Sequence, residues 1–112
     1  MSATKAKRLL DEYLTYGGFG PVEREHIFHP TRKWRLDWFL PQQGEQGVGI
    51  EYDGLMHHGA NQGHASISGI LRDSDKLNEA QALGIPVYRA NAKSIESGQF
   101  FTLLDRVLRS DQ

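Results

Sequence analysis

The chain has 112 residues, a formal net charge of −1 at pH 7 and 38% hydrophobic residues. This size predicts a single domain over residues 1–112 with enough apolar side chains for a core. The absence of cysteine excludes a disulfide framework and a thiolate zinc site. No apolar stretch is long enough to span a membrane, so we expect a cytoplasmic protein without a membrane partner.

The first predicted elements are a helix and a strand. Apolar residues recur at helical spacing over residues 3–16, and Gly17-Gly18 is expected to end this helix. Residues 25–28 are then predicted to form a strand, which turns at His29-Pro30-Thr31 toward the next strand.

Two short strands with carboxylates are predicted over residues 34–39 and 49–54. Alternation predicts an apolar face in each strand, made of Trp34, Leu36, Trp38 and Leu40 in the first and Val48, Ile50 and Tyr52 in the second. Asp37, Glu51 and Asp53 are then expected together on the opposite face of a hairpin. Clustered like charges repel, which favours a bound cation at this point.

The remaining predicted elements are a polar turn (41–47), a loop (54–69), a helix (70–83), a strand (86–90) and a helix (97–109). The polar turn predicts that the two acidic strands are antiparallel neighbours. The strand that follows the crossover helix makes the sheet mixed. We therefore predict an α/β fold of order α-β-β-β-α-β, with a mixed sheet flanked by helices.

The order and spacing of several short motifs carry a resemblance to a known superfamily. The motifs are Phe28-x-Pro-x-Arg-Lys-Trp-Arg-x-Asp37, Glu51-x-Asp-Gly, His64, Asp73-x-x-Lys76-x-Asn78-x-Ala80-x-x-x-Gly84 and Val87-x-Arg89. From about residue 25 to 89 the chain resembles the PD-(D/E)XK nucleases, most of all small phage-type endonucleases related to Holliday junction resolvases and very-short-patch-repair-like nucleases. The resemblance implies a restriction-endonuclease-like core and a DNA endonuclease of a bacterial or phage-infected cell.

The acidic residues suit the metal chemistry of such an enzyme. Carboxylate oxygens at Asp37, Glu51 and Asp53 are the hard ligands that Mg²⁺ or Mn²⁺ prefers. A bound ion would acidify a water molecule for attack on the phosphate. Glu12, on the first helix, and Glu25, in the hairpin, are alternative candidates for a further acid.

The motif lysine of the superfamily is absent from its usual position, because Glu51-Tyr52-Asp53 stands in place of acid-x-lysine. We expect Lys76, on the helix after the acidic strands, to replace it. The alternative is an intrahelical ion pair between Asp73 and Lys76 without a catalytic role. In that case Lys33 or a metal-bound water would have to serve.

Histidines are candidates for proton transfer. His57 follows a segment that resembles the strand-to-loop region of very-short-patch-repair-like nucleases, where a histidine serves as general base or acid, and His64 is supported by its spacing to Asp73. The alternative is that His57 and its neighbour His58 are solvated loop residues.

Basic residues surround the acidic strands and predict DNA as the partner. Arg32, Lys33 and Arg35 precede Asp37, and Arg72 follows on the next helix. Arg35 shares the face of Asp37 and can instead pair with a carboxylate. We expect double-stranded or branched DNA as the substrate, and symmetric cutting of a junction would require a homodimer.

Two other functions compete with a metal-dependent endodeoxyribonuclease. The absent motif lysine is compatible with an inactive nucleic-acid-binding module of the same fold. A His-metal nuclease that uses His57, Asn61 and His64 is the third alternative, although these spacings are short for such a site.

Overall fold

The computed structural model describes residues 1–54 and 63–111, with side chains described for 1–54 and 71–111. Its elements are α1 (Ala3–Tyr16), β1 (Glu23–Ile27), β2 (Arg35–Leu40), β3 (Val48–Tyr52), α2 (Gly63–Ala82), β4 (Val87–Ala90), α3 (Ala92–Glu96) and α4 (Gln99–Val107). Within the described ranges, no helix is both long enough and apolar enough to cross a membrane.

The four strands form one sheet in the order β1-β2-β3-β4. The first three strands are antiparallel neighbours, and β4 pairs in parallel with β3. The parallel pair arises because α2 crosses over between β3 and β4. The prediction of an α/β fold with a mixed sheet is therefore confirmed.

Each face of the sheet packs against different helices. On one face, buried residues of α1 and α4 form a large apolar cluster with residues of β2 and β3, including Leu10, Leu14, Leu104, Trp38 and Ile50. On the other face, a smaller cluster joins Leu36 and Phe39 of β2 to Ala80 of α2 and to Ile85. The sheet is thus a central layer, with α1 and α4 packed on one face and α2 packed on the other.

The first helix has the predicted bounds because local signals mark both ends. The Ser2 hydroxyl caps it by accepting a hydrogen bond from the Lys5 amide at 3.1 Å. After the helix, Gly18 adopts a φ of +83°, a left-handed conformation that disfavours other residues. A side chain at Gly17 would also collide with the Phe19 ring, whose nearest carbon lies 2.4 Å from the Cβ position.

The predicted common face of Trp34, Leu36, Trp38 and Leu40 is wrong. Leu36 packs in the cluster with α2, whereas Trp38 and Leu40 pack in the cluster with α1. The change of face coincides with Glu25 on the neighbouring strand, which has a φ of +52° in the left-handed region. The pairing of β1 with β2 keeps the same register before and after this position, so the side chains of both strands change face at the same place.

The conformation of Glu25 gives a stability prediction. Because a left-handed backbone costs a residue other than glycine about 1–3 kcal/mol, Glu25→Gly should raise the free energy of unfolding by about 1 kcal/mol. Glu23→Gly, in the same strand, should lower it, since glycine weakens a regular strand. Urea unfolding of both variants checks this; a loss of stability in Glu25→Gly as large as that in Glu23→Gly would contradict it.

Other predicted bounds are also corrected, and the acidic strand predicted over residues 49–54 spans Val48–Tyr52. The helix predicted from residue 70 begins at Gly63, so the predicted loop is wrong over residues 63–69. The helix predicted over residues 97–109 is α4 and spans Gln99–Val107, after Gly98 with a φ of +84°. The short helix α3 that precedes it was not predicted. Asn91 starts α3 with a capping box, in which Asn91 and Ser94 exchange side-chain to backbone hydrogen bonds. The first strand begins at Glu23 rather than at residue 25.

A buried glutamine joins the β2–β3 turn to two distant segments. Gln43 is 5% exposed, and its amide nitrogen donates to the carbonyls of Phe19, at 2.9 Å, and Arg109, at 2.7 Å. Its side-chain oxygen accepts a hydrogen bond from the Arg109 amide at 2.7 Å. The turn between the acidic strands is therefore bonded to the residues after α1 and after α4.

Candidate active site

Asp37 and Glu51 meet across the pair β2 and β3. The register that pairs Trp38 with Ile50 brings these two residues opposite each other. The Asp37 amide donates to Glu51 Oε2 at 3.1 Å, and the Tyr52 amide donates to Asp37 Oδ2 at 2.8 Å. Each carboxylate is thus fixed by a backbone N–H of the opposite strand.

Lys76 reaches this pair from α2. Its Nζ lies 2.5 Å from Glu51 Oε1 and donates to the Arg35 carbonyl at 2.8 Å. The Lys76 and Glu51 side chains are only 14% and 13% exposed. The alternative of an Asp73–Lys76 ion pair is therefore wrong for this structure, because Asp73 Oδ2 instead lies 3.7 Å from Arg89 Nη2.

Burial raises the pKa of Glu51 above its usual value. The hydrogen bond and the charge of Lys76 act in the opposite direction, whereas the negative charge of Asp37 adds to the effect of burial. A carboxylate with a perturbed pKa beside a specific charge partner is a common feature of functional sites.

Asp53 has a different partner. Its Oδ2 lies 3.1 Å from Arg89 Nη2, so this arginine bridges Asp53, which directly follows β3, and Asp73 of α2. Among the described residues, no three His, Cys, Asp or Glu side chains form a group that could hold a metal ion. The predicted set of Asp37, Glu51 and Asp53 is thus present as an adjacent pair and a third acid that is bound to arginine.

The adjacent pair fits Mg²⁺. This ion is usually held by one or two carboxylates together with water and substrate phosphates, rather than by a complete set of protein ligands. Asp37 and Glu51 supply two such carboxylates on neighbouring strands, and each is oriented by a hydrogen bond to the backbone. Two of the three predicted ligands are paired with cationic side chains, Asp53 with Arg89 and Glu51 with Lys76.

An open groove of about 450 Å³ leads to Asp37 from the side of α1. It is lined by Lys7, Arg8, Asp11, Arg24, Glu25, Asp37 and Trp38. Glu25 thus shares this groove with Asp37, whereas Glu12 is exposed and is not among the residues that line it. Of the two alternative acids, Glu25 lies nearer the site.

Sequence reasoning missed Asp11, which connects α1 to the hairpin. Asp11 Oδ1 accepts hydrogen bonds from Trp38 Nε1 at 2.9 Å and from Arg24 Nε at 2.6 Å. The bond to Arg24 lowers the pKa of Asp11. Spacing could have indicated this residue, because Asp11 is adjacent to the buried Leu10 and one turn before Leu14 on the inward side of α1.

The residues predicted to bind DNA are all exposed: Arg32, Lys33, Arg35 and Arg72. Arg32 places its guanidinium carbon 4.1 Å from the centre of the Trp34 ring. Arg35 contributes its carbonyl to Lys76, and its side chain has no ion pair among residues 1–54 and 71–111. The predicted pairing of Arg35 with a carboxylate is absent from that part of the chain.

The predicted histidine roles fall largely beyond the described region. His57, His58 and Asn61 lie outside the described residues, and His64 lies in α2 at a position where side chains are not described. His29 has a structural role instead. Its Nδ1 accepts hydrogen bonds from the amides of Thr31 and Arg32, and its Nε2 lies 2.9 Å from Glu79 Oε1.

Comparisons with known proteins found no matching family model, no matching curated protein and no matching solved structure. The functional interpretation therefore depends on the residues and contacts of this chain.

Proposed function

We propose that this protein is an Mg²⁺-dependent endodeoxyribonuclease with a restriction-endonuclease-like core, and that Asp37, Glu51 and Lys76 form its catalytic centre. The main support is the contact of Lys76 with Glu51 at 2.5 Å, beside Asp37 on the next strand. The contact brings a lysine to the acidic strands, as expected for an acid-x-lysine nuclease whose lysine has moved to a helix.

A purely structural role explains this cluster poorly. Removing charged groups from water is costly, and a buried ion pair often stabilises a fold no better than apolar residues of similar size. Lys76 lies one turn before Ala80 on α2 and donates to the carbonyl of Arg35, the residue before Leu36, so apolar side chains here could extend the cluster of Leu36 and Ala80 without this cost. The charges are more readily explained by a function that needs them.

The side chains have distinct proposed roles. Asp37 and Glu51 would hold Mg²⁺ or Mn²⁺, which when bound supplies charge stabilisation at the phosphate and acidifies a water molecule. Lys76 orients the Glu51 carboxylate through their contact, and its ammonium lowers the pKa of that carboxyl against the effect of burial. Its third N–H donor can bind a phosphate oxygen or orient the attacking water.

The basic segment Arg32–Lys33 is proposed to hold the DNA backbone. Both side chains are exposed near the strand that carries Asp37. Each phosphate contact releases counterions, so the Arg32→Ala/Lys33→Ala double variant should weaken binding to all DNA sequences. The slope of the logarithm of the binding constant against the logarithm of the salt concentration should fall by the contribution of about two phosphate contacts.

Anisotropy titrations of labelled DNA at several salt concentrations measure this slope. Lys93 and Arg106, exposed on α3 and α4, provide a matched double variant that should leave the slope unchanged. An unchanged slope in the Arg32/Lys33 variant would mean that this segment does not contact the backbone.

Cleavage assays test the proposed activity and its substrate. Linear, flapped, mismatched and four-way-junction DNA should be incubated with and without Mg²⁺, and the cuts mapped. We expect Mg²⁺-dependent cuts, with paired symmetric cuts if the protein is a junction resolvase that acts as a homodimer. Absence of cleavage on every substrate with Mg²⁺ or Mn²⁺ would reject the nuclease.

One observation favours an inactive DNA-binding module as the second candidate. Arg89 forms an ion pair with Asp53, which leaves two carboxylates rather than three to hold a metal ion near Lys76. Binding without metal-dependent cleavage would support this module. A requirement for His64 but not for Asp37 would instead support the His-metal nuclease.

A further inference from the structure

A second groove, of about 480 Å³, lies between the β1–β2 turn and α2. Arg32 and Trp34 line it from the turn, and Asp75, Asn78 and Glu79 line it from the helix. We propose that this groove binds an unpaired nucleobase of the DNA substrate, and that it makes unpaired nucleotides beside the cut site a preferred feature of that substrate. This inference rests on the proposed function.

The turn side of the groove is a stacking surface. The Arg32 guanidinium lies 4.1 Å from the centre of the Trp34 ring, and the Trp34 and Phe28 rings stack at 6.4 Å with 19° between their planes. His29 contacts Trp34 edge-on at 5.2 Å, which fixes the ring further. Aromatic rings and arginine planes are the side chains on which proteins stack unpaired bases.

Arg32 is exposed, so a base can stack on the second planar face of its guanidinium. Stacking uses the face of the group and leaves its N–H edge for a phosphate. The same residue can therefore bind the backbone, as proposed above, and support a base.

The helix side of the groove suits the edge of a base. Asp75 and Asn78 are exposed and three residues apart, so they lie on one side of α2. Within the described side chains, neither makes a hydrogen bond or an ion pair. A carboxylate accepts a hydrogen bond from the amino group of a base, and a side-chain amide can both donate a hydrogen bond to adenine and accept one from it. The site should prefer bases with an exocyclic amino group over thymine.

Charge also favours a base over a phosphate inside the groove. The carboxylates of Asp75 and Glu79 would repel a phosphate, and Glu79 is already bound to His29 at 2.9 Å. The volume lies within the range of about 300–1,000 Å³ that is usual for small-molecule sites.

The groove is next to the catalytic centre. Trp34 directly precedes Arg35, whose carbonyl accepts the hydrogen bond from Lys76, and Asp75 directly precedes Lys76 on α2. A base held here would place its own phosphate near Lys76 and Glu51. Bases of intact duplex are stacked inside the helix and cannot enter, so the fitting substrates are flaps, bulges and branch points.

Binding in EDTA tests the groove without any cleavage. The probes are a labelled duplex and the same duplex with a short single-stranded flap of adenines or of thymines. The wild-type protein should bind the adenine flap about tenfold more tightly than the duplex, given the usual contribution of one stacked base. Asn78→Ala should remove the preference for adenine over thymine.

Trp34→Ala should remove the preference for flaps altogether, and Tyr16→Ala, at an exposed aromatic residue on α1, is the matched control that should keep it. Because Trp34 also packs against Phe28, tryptophan fluorescence of the intact protein gives a second readout. Adenine flaps should quench the fluorescence of the wild-type protein but not that of Trp34→Phe, which retains only Trp38.

The two proposals fail in different ways. Equal binding of flap and duplex by a protein that cleaves DNA overturns the base groove and leaves the nuclease intact. A flap preference lost in Trp34→Ala, in a protein that never cleaves, supports the groove and rejects the nuclease. Equal affinity for adenine and thymine flaps overturns the proposed contacts with Asp75 and Asn78.

Discussion

Asp37→Asn and Glu51→Gln should each give a folded protein that has lost nearly all Mg²⁺-dependent cleavage of DNA. Each change removes a negative charge from the proposed metal site but keeps the size of the side chain and an oxygen that can accept the observed backbone hydrogen bond. Metal affinity should therefore fall much more than stability.

Single-turnover cleavage rates over a range of Mg²⁺ concentrations measure this effect, and thermal unfolding checks the fold. Glu45→Gln removes an equal charge from an exposed position in the β2–β3 turn and should cleave like the wild-type protein. Unchanged turnover in both Asp37→Asn and Glu51→Gln at saturating Mg²⁺ would contradict the assignment of these ligands.

Lys76→Ala should reduce the cleavage rate by about 100-fold or more, the range usual for one preorganised charged group at a transition state. Lys93→Ala, at an exposed position on α3, is the matched control and should have little effect. An effect of Lys76→Ala below about threefold, with the fold intact, would mean that the contact with Glu51 serves structure alone.

The pH dependence of the remaining activity gives Lys76 a second test. Glu51 must be ionised to bind a cation, and Lys76 lowers the pKa of this carboxyl while burial raises it. Loss of the ammonium removes the opposing effect, so the pKa of Glu51 moves further up. The rate of Lys76→Ala should therefore fall on the acidic side at a higher pH than the wild-type rate does. If the pH–rate profiles of the wild-type protein and Lys76→Ala fall at the same pH on the acidic side, Lys76 does not affect the pKa of Glu51.

Local patterns predicted most of the fold. Periodicity and glycine positions gave α1 its bounds, and alternation correctly placed Val48 and Ile50 opposite Glu51 on β3. The mixed sheet followed from the crossover helix alone. These features depend on residues that are near each other in sequence.

Features that depend on distant contacts were not predictable in the same way. The change of face at Asp37 coincides with the left-handed backbone of Glu25 in another strand, and alternation within one strand cannot detect it. Helical spacing offered Lys76 a neighbour in Asp73, whereas the folded chain brings Glu51 closer. Asp53 was predicted as a ligand from strand alternation, and its pairing with Arg89 was not detected because that residue is 36 positions away.

The hydrogen bonds of Gln43 have a consequence for the local unfolding of the protein. Terminal segments usually fray independently of the core, yet Arg109 is bonded to Gln43, and the Asp111 amide donates to the Gly18 carbonyl at 2.9 Å. Residues 109–111 should therefore exchange their amide hydrogens together with the β2–β3 turn, as one cooperative unit. The alignment of Asp37 with Glu51 then depends on hydrogen bonds between the turn and residues 109–111.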